Sequence, residues 1–172
     1  MNLIFVNGTM GAGKTTVCRI LKNKLPPSVF ADGDDLWDMC PFIVNGRSKE
    51  MVLSNIAAVL SGFLQSGLFE NILFCWVMHE ESIVEDILSR LTRKDFRFFL
   101  FTLESDRDTL RERLAKDVEK GARSGGIFAR SEERAKHFAA MRSVKIDTTR
   151  LSPEEAAEKI ADYVRGENGP PR

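Results

Sequence analysis

The feature that most constrains the fold is a glycine-rich segment between a short apolar run and a stretch of helical character. Residues 8 to 15 read Gly-Thr-Met-Gly-Ala-Gly-Lys-Thr and follow directly on the apolar run Leu3 to Val6. They match the pattern G-x-x-x-x-G-K-[S/T], in which glycines let the backbone wrap closely around phosphates and the following helix points free N–H donors at them. We therefore predict a P-loop that binds a nucleoside triphosphate between the first strand and the first helix.

Individual positions of this segment have expected roles in nucleotide binding. Lys14 is expected to place its ammonium between the β- and γ-phosphates, which makes it a catalytic candidate as well, and the hydroxyl of Thr15 is expected to bind Mg²⁺. The other predicted nucleotide contacts are Gly8, Met10, Gly11, Ala12, Gly13 and Thr16. The predicted cofactors are ATP and Mg²⁺.

Short apolar segments alternate with segments of helical period along the chain, a pattern typical of a parallel sheet covered by helices. The predicted strands are Leu3 to Val6, Val29 to Ala31, Ile72 to Val77, Phe98 to Leu103 and Val144 to Ile146. The predicted helices are Lys14 to Leu25, Lys49 to Ser66, Ile83 to Leu91, Ser105 to Val118 and Ser152 to Val164. The fold class is α/β, with one five-stranded domain over residues 1–165.

Chain length and charge limit the kinds of partner. The 172 residues suffice for one domain and are too few for two of ordinary size. Lys plus Arg equals Asp plus Glu at 25 each, so no overall field exists to hold a polyanion or an anionic membrane. No apolar run reaches the roughly 20 residues of a membrane helix, and three scattered cysteines suit a reducing compartment. We expect a cytoplasmic monomer or homodimer with a small-molecule partner and without membrane or nucleic-acid partners.

Three carboxylates follow the second predicted strand. Asp32, Asp34 and Asp35 lie where the carboxyl ends of parallel strands bind ligands in doubly wound folds. One carboxylate can hold a magnesium-bound water while another accepts the proton of an attacking hydroxyl. The strand Ile72 to Val77 has no acid at its end, where Walker-type ATPases usually carry one. A solvated turn with a helix cap is the alternative, because Asp-Gly is common in turns.

The sequence resembles the small P-loop kinases that include shikimate, gluconate and adenylylsulfate kinases. The resemblance rests on three segments that together frame most of the chain. They are the P-loop, the run Asp32-Gly33-Asp34, and Ile146-Asp147-Thr148-Thr149 followed by Ser152-Pro153-Glu154-Glu155. The resemblance implies a three-layer fold with sheet order 2-3-1-4-5, an Asp-x-Asp pair serving magnesium and substrate, and an arginine-bearing lid that closes on the phosphates.

Carried onto this chain, the resemblance assigns roles to individual residues. Asp34 becomes the catalytic base and Asp32 the magnesium-shell ligand, while Arg113 is expected to approach the adenine. Arg123 and Arg130 fall in a glycine-rich segment, about residues 120–130, where the catalytic lid arginines are expected. An ordinary basic surface loop is the alternative for these two arginines. The tail, residues 166–172, is expected to be disordered.

The acceptor pocket is predicted from residues beyond the strand ends. The candidates are Asp34, Asp35, Trp37, Met39, Phe42, Arg47, Trp76 and His79. Arg47 suits an anionic group on the acceptor, whereas Trp76 with His79 could stack on a ring or hydrogen-bond a hydroxyl. Simple packing, or solvent exposure for Arg47, is the alternative. The acceptor itself is not carried over, because Asp34-Asp35-Leu36-Trp37 lacks the histidine of gluconate kinases and no shikimate-type Gly-Gly follows the third strand.

Together these features predict an ATP-dependent kinase, a phosphotransferase with an alcohol group as acceptor, acting on a small molecule. One alternative is a nucleoside, nucleotide or polynucleotide 5′-hydroxyl kinase, although the balanced charge argues against a polynucleotide. Another is an ATP-binding regulatory or switch NTPase. The missing acid on Ile72 to Val77 argues against a hydrolytic motor.

Overall fold

The sheet of the computed structural model, which describes residues 1–119 and 127–167, consists of five parallel strands in the order β2-β3-β1-β4-β5. The strands are β1 (Asn2–Gly8), β2 (Ser28–Asp32), β3 (Asn71–Cys75), β4 (Arg97–Glu104) and β5 (Val144–Asp147). The helices are α1 (Lys14–Lys24), α2 (Gly46–Ser66), α3 (Glu81–Arg90), α4 (Arg107–Glu119), α5 (Ile127–Ala140) and α6 (Pro153–Arg165), and a short 3₁₀ turn covers Asp35–Trp37. The α/β class, the five strands and their order are therefore as predicted.

Helices cover both faces of the sheet, so β1 is buried on both sides. Ile4 and Val6 face the layer of α1 and α6, whereas Leu3 and Phe5 face α2 and α3. All four side chains are fully buried. This explains why β1 reads as a continuous apolar run without alternation, as expected for the inner strand of a parallel sheet.

Several element ends follow from local chemistry. Asn45 caps α2 in a capping box with Ser48, and Gly67 ends the helix with φ of 68°. Ser152 forms a capping box with Glu155 at the start of α6. Strand β3 is shorter than predicted, because regular pairing with β1 and β2 ends at Cys75. Residues 76–79 beyond it are not part of the sheet.

Helix α5 was not predicted from the sequence. The segment 120–130 was expected to be a loop, but its last four residues, 127–130, are helical. Among its described side chains, Ser131 and Phe138 are buried, and Phe128 packs against Leu110 and Leu114. Polar contacts through Ser131 take the place of the apolar periodicity that identifies a helix in a sequence.

Two predicted segments lie partly or wholly outside the described residues. Arg123 and most of the expected lid fall within 120–126, and most of the expected disordered tail falls within 168–172. Gly166 is described and caps α6 with φ of 82°. Within the described ranges, no helix has the length and apolarity needed to cross a lipid bilayer.

Candidate active site

The loop from Gly8 to Lys14 adopts backbone conformations that require glycine. Gly11 and Gly13 have φ of 83° and 89°, in the left-handed region that side-chain-bearing residues rarely adopt. A Cβ on Gly11 would also lie 2.8 Å from the side chain of Leu114, whereas one on Gly13 would meet nothing within 4 Å. The loop is thus fitted closely against α4 on one side and is open on the other, where α1 begins.

The residue pair predicted to bind magnesium is in direct contact. Thr15 Oγ1, in the first turn of α1, donates a hydrogen bond of 2.7 Å to Oδ2 of Asp32, the last residue of β2. The other oxygen, Asp32 Oδ1, accepts a 3.1 Å bond from the backbone N–H of Asp34. Lys14 Nζ donates to the carbonyl of Thr9 at 3.0 Å. A hydroxyl and a carboxylate side by side at the start of the P-loop helix are the ligand chemistry that Mg²⁺ uses together with phosphate oxygens.

Cys75 occupies the end of β3, where Walker-type ATPases usually carry an acid. Its thiol is buried and lies 4.0 Å from Thr15 Oγ1. It also contacts Cys18 of α1, and the pKa of the Cys18 thiol is raised by burial first and then by its hydrogen bond to Cys75. Cys18 therefore stays neutral, and the carboxylate that contacts Thr15 comes from β2 instead of β3.

A cavity of about 420 Å³ contains most of the predicted nucleotide contacts. It is lined by residues Gly11 to Val17 together with Asp32 and Asp34. The other lining residues are Arg113, Thr148, Leu151, Ser152, Pro153 and Ala156. The P-loop, the Asp pair and the segment after β5 thus share one cavity, although they are far apart in the sequence.

Arg113, which was predicted to approach the adenine, lines this cavity. Its guanidinium donates to Thr148 Oγ1 at 3.0 Å and to the Thr148 carbonyl at 2.8 Å. Thr148 in turn donates from both its backbone N–H and its hydroxyl to the carbonyl of Glu104, at 2.7 and 2.9 Å. This chain of bonds fixes α4 against the loop after β5. Thr148 belongs to one of the segments on which the family resemblance rests, but its role as an anchor for Arg113 was not predicted.

The two outer carboxylates and Arg47 are exposed. Asp34 lines the cavity at its edge, whereas Asp35 opens the 3₁₀ turn outside it. Arg47 lies in the first turn of α2 with an exposed side chain. Of these three candidates, the structure brings only Asp34 to the P-loop cavity.

Trp37 and Trp76 pack together next to the Asp run. Their ring centroids are 5.9 Å apart, and Phe42 lies 5.6 Å from Trp37 on the other side. The indole of Trp76 rests on Gly33, where a Cβ would come within 2.5 Å of the ring. Met39 is half-buried in the same segment.

His79 lies beyond β3, between two other charged or titratable groups. Its ring is 6.0 Å from that of His137, and Nε2 is 3.6 Å from Glu80 Oε1. Burial is the largest cause that lowers the pKa of His79, followed by the charge of Arg134. His79 Nδ1 is buried and has no hydrogen-bond partner among the residues that the structure describes. The imidazole is therefore neutral near pH 7.

The predicted lid arginines are not placed by the structure. Arg123 lies outside the described residues, and of Arg130 only the backbone is described, in the first turn of α5. Their catalytic role stays a prediction.

The hydrogen bonds that join the P-loop to α5 were not predicted from the sequence. Thr9 Oγ1 donates to the carbonyl of Ser131 at 2.9 Å, and the two hydroxyls are also 2.9 Å apart. Ser131 Oγ donates to the carbonyl of Met10 at 2.9 Å. Ser131 is fully buried. Only the presence of a serine in an otherwise charged segment could have drawn attention to it, and that signal is weak.

A second missed residue, Asn7, joins β1 to the segment after β3. Asn7 is fully buried, its side-chain N–H₂ donates to the Met78 carbonyl at 2.6 Å, and its Oδ1 accepts from the Met78 N–H at 3.0 Å. A polar residue at the end of an apolar strand, directly before the glycine-rich loop, is the sequence signal that could have identified it.

Three solved structures with this fold are distant from the chain in sequence. A tunicamycin resistance protein from Deinococcus radiodurans superimposes with a TM-score of 0.73 and 19% identity over 96% of both chains. A gluconokinase from Sinorhizobium meliloti gives 0.65 and 15% over 97% of both chains. A shikimate kinase from Acinetobacter baumannii gives 0.63 and 17% over 98% of this chain and 95% of that one. At such identities the likeness shows the fold, which is that of the P-loop kinases.

Sequence comparison identifies the family to which the chain belongs. No curated protein sequence matches the chain significantly. The AAA domain family matches residues 4–137, which include the P-loop, the Asp run and most of the sheet. The chain therefore belongs to the AAA domain family, and it has the fold of the P-loop kinases.

Proposed function

We propose that the protein is an ATP-dependent kinase that transfers the γ-phosphoryl group to a hydroxyl of a small molecule. The observation that carries this proposal is the contact between Thr15 and Asp32, with Asp34 held at the edge of the same cavity. A site built only to bind nucleotide has no need of a second, exposed carboxylate in the same cavity. The fold shared with sugar, gluconate and shikimate kinases supports the proposal.

The residues of the cavity fit MgATP. The glycine backbone of the P-loop leaves room for phosphates, and Lys14 supplies a cation to the same segment. Thr15 and Asp32 would hold Mg²⁺, which would neutralise charge on the β- and γ-phosphates. Arg113, anchored on Thr148, would contact the nucleoside end.

In the proposed reaction the acceptor oxygen attacks the γ-phosphorus, and the bond from that phosphorus to the β–γ bridging oxygen breaks, leaving ADP. Asp34 accepts the proton that the acceptor hydroxyl loses. Its backbone N–H is bonded to Asp32, so base and metal-side carboxylate keep a fixed spacing. Lys14 balances charge on the transferring group. If the lid arginines act as the resemblance implies, Arg123 or Arg130 would add to this.

The test is a search for phosphoryl transfer. The protein is incubated with MgATP and pools of hydroxyl-bearing metabolites, nucleosides and antibiotics, and mass spectrometry looks for any compound that gains one phosphoryl group. A product that forms only with active protein supports the kinase. ATP hydrolysis that no pool accelerates would instead favour a regulatory or switch NTPase.

Asp34→Asn is the first variant to compare. We expect phosphoryl transfer to fall by roughly 10²- to 10⁴-fold, because the general base is lost, while the affinity for ATP stays within about twofold because Lys14, Thr15 and Asp32 remain. Asp38→Asn is the matched control, since Asp38 is also exposed and lies outside the cavity. Unchanged turnover in Asp34→Asn would exclude Asp34 as the base.

A further inference from the structure

An aromatic wall stands beside the loop that carries the base. We define it as Trp37, Phe42 and Trp76. The Trp37 ring is 5.6 Å from the ring of Phe42 and 5.9 Å from that of Trp76. Trp76 packs on Gly33, the residue directly before Asp34. Trp37 is three residues after Asp34 in the chain. The wall therefore lies within reach of any molecule whose hydroxyl is held by Asp34.

Part of the aromatic wall is exposed to solvent. Phe42 is 65% exposed, and the following residues Ile43 and Val44 are 46% and 57% exposed. Three successive apolar side chains are thus exposed to solvent beside the proposed reaction centre. An exposed apolar surface at such a place indicates a binding site. Trp37 Nε1–H is buried and has no hydrogen-bond partner among the residues that the structure describes. A buried donor left unpaired is costly.

The charges around the wall disfavour an anionic acceptor. The segment from residue 32 to residue 48 contains four aspartates and a single basic residue, Arg47. Asp34, Asp35 and Asp38 are exposed on this side, and Arg47 is exposed in the first turn of α2. Burial keeps His79 neutral, so it adds no positive charge. A carboxylate or phosphate on the acceptor would meet like charges.

From these observations we propose that the acceptor is an uncharged alcohol that carries a planar ring, and that the ring packs against the indoles of Trp37 and Trp76 while the hydroxyl reaches Asp34. This inference rests on the proposed kinase function and names the substrate class of its acceptor site. Flat rings gain from contact with indole faces, and an uncharged ring avoids repulsion by the exposed aspartates. Carboxylated acceptors such as gluconate and shikimate do not fit this chemistry.

Intrinsic fluorescence gives a direct readout of the wall. The chain contains two tryptophans, and both belong to the wall. The wild-type protein, saturated with Mg²⁺ and a non-hydrolysable ATP analogue, is titrated with matched pairs: nucleosides and their 5′-monophosphates. Gluconate and shikimate serve as carboxylated compounds without an aromatic ring. We expect a saturable emission change with at least one uncharged ring-bearing alcohol and at least tenfold weaker binding of its monophosphate.

Variants then test whether the ring contacts the wall during turnover. Trp76→Leu is expected to raise the KM for the acceptor by roughly 5- to 100-fold, the range given by loss of one aromatic stacking contact. The KM for ATP should stay unchanged, and Trp76→Phe should restore most of the acceptor affinity. Phe63→Leu is the control, because Phe63 pairs with Phe69 at the far end of α2. Thermal unfolding confirms that each variant is folded, and Trp37→Phe, which keeps a ring, replaces Trp76→Leu if that protein fails this check.

The outcomes separate this inference from the kinase proposal. Efficient transfer to a carboxylated or phosphorylated acceptor without any emission change would overturn the ring proposal and leave the kinase intact. The absence of a saturable emission change with every ring-bearing alcohol tried would overturn it as well. An unchanged acceptor KM in Trp76→Leu would do the same. Saturable binding of an uncharged ring compound without phosphoryl transfer would support the ring site and contradict the kinase.

Discussion

Individual residues of the cavity are placed by contacts that span the sequence. Thr15 reaches Asp32 across 17 positions, and Arg113 reaches Thr148 across 35. The first pair could be predicted, because a P-loop threonine and an acid after the next strand have defined places in a parallel sheet. The second could not be derived from the residues, since nothing local to Arg113 indicates which loop its guanidinium will meet.

At the same scale, two glycines of the P-loop offer a matched comparison. Gly11→Ala and Gly13→Ala both force a Cβ into the left-handed region, which costs roughly 1–2 kcal/mol. Gly11→Ala must also displace Leu114, 2.8 Å away, whereas Gly13→Ala meets nothing. We expect Gly11→Ala to lower the free energy of unfolding more than Gly13→Ala does, measured by urea denaturation. Equal losses would mean that Leu114 moves at no cost.

Helix α5 is the element that the sequence pattern failed to predict. Strands β1 and β4 were predicted within two residues of their bounds, because each contains an apolar run long enough to identify a strand. Helix α5 was missed, because one of its main contacts is polar and its partner, Thr9, lies 122 positions away. A single-sequence pattern carries apolar periodicity but not a hydrogen bond of this range.

Removing the Ser131 hydroxyl tests whether its hydrogen bonds support the P-loop. Ser131→Ala leaves the Met10 carbonyl without its Oγ–H donor, in a place where Ser131 is fully buried. We expect a loss of about 1–3 kcal/mol in the free energy of unfolding and weaker ATP binding, because the P-loop loses a support. Ser54→Ala, on the exposed face of α2, is the control. Equal ATP affinity in both variants would show that α5 does not support the P-loop.

Over the whole molecule, the nucleotide cavity joins parts of the chain from residue 11 to residue 156. A ligand that bridges them binds the folded state and not the unfolded chain, so it stabilises the fold by mass action. At a concentration of 100 times the dissociation constant the gain is about 2.7 kcal/mol. For a chain of this size that corresponds to a rise in Tm of roughly 5–10 °C.

This gain supplies a whole-molecule test of the nucleotide site. MgATP should raise the Tm of the wild type, and Lys14→Met should abolish most of the rise because the phosphates lose their cation. Lys49→Met, which removes an exposed lysine of α2, is the control and should behave like the wild type. A full rise in Lys14→Met, measured by differential scanning fluorimetry, would contradict the assignment of the P-loop as the ATP site.

The position of Asp32 on β2 has a consequence for how such a chain can diversify. Strand β2 is an edge strand that pairs only with β3 in the sheet, and the residues from 33 to 45 extend from its end without forming part of the sheet. Substitutions or insertions there can reshape the acceptor side while β1, α1 and the P-loop keep their packing. Natural variation in this segment would let related proteins acquire new acceptors, while the P-loop region and the fold stay unchanged.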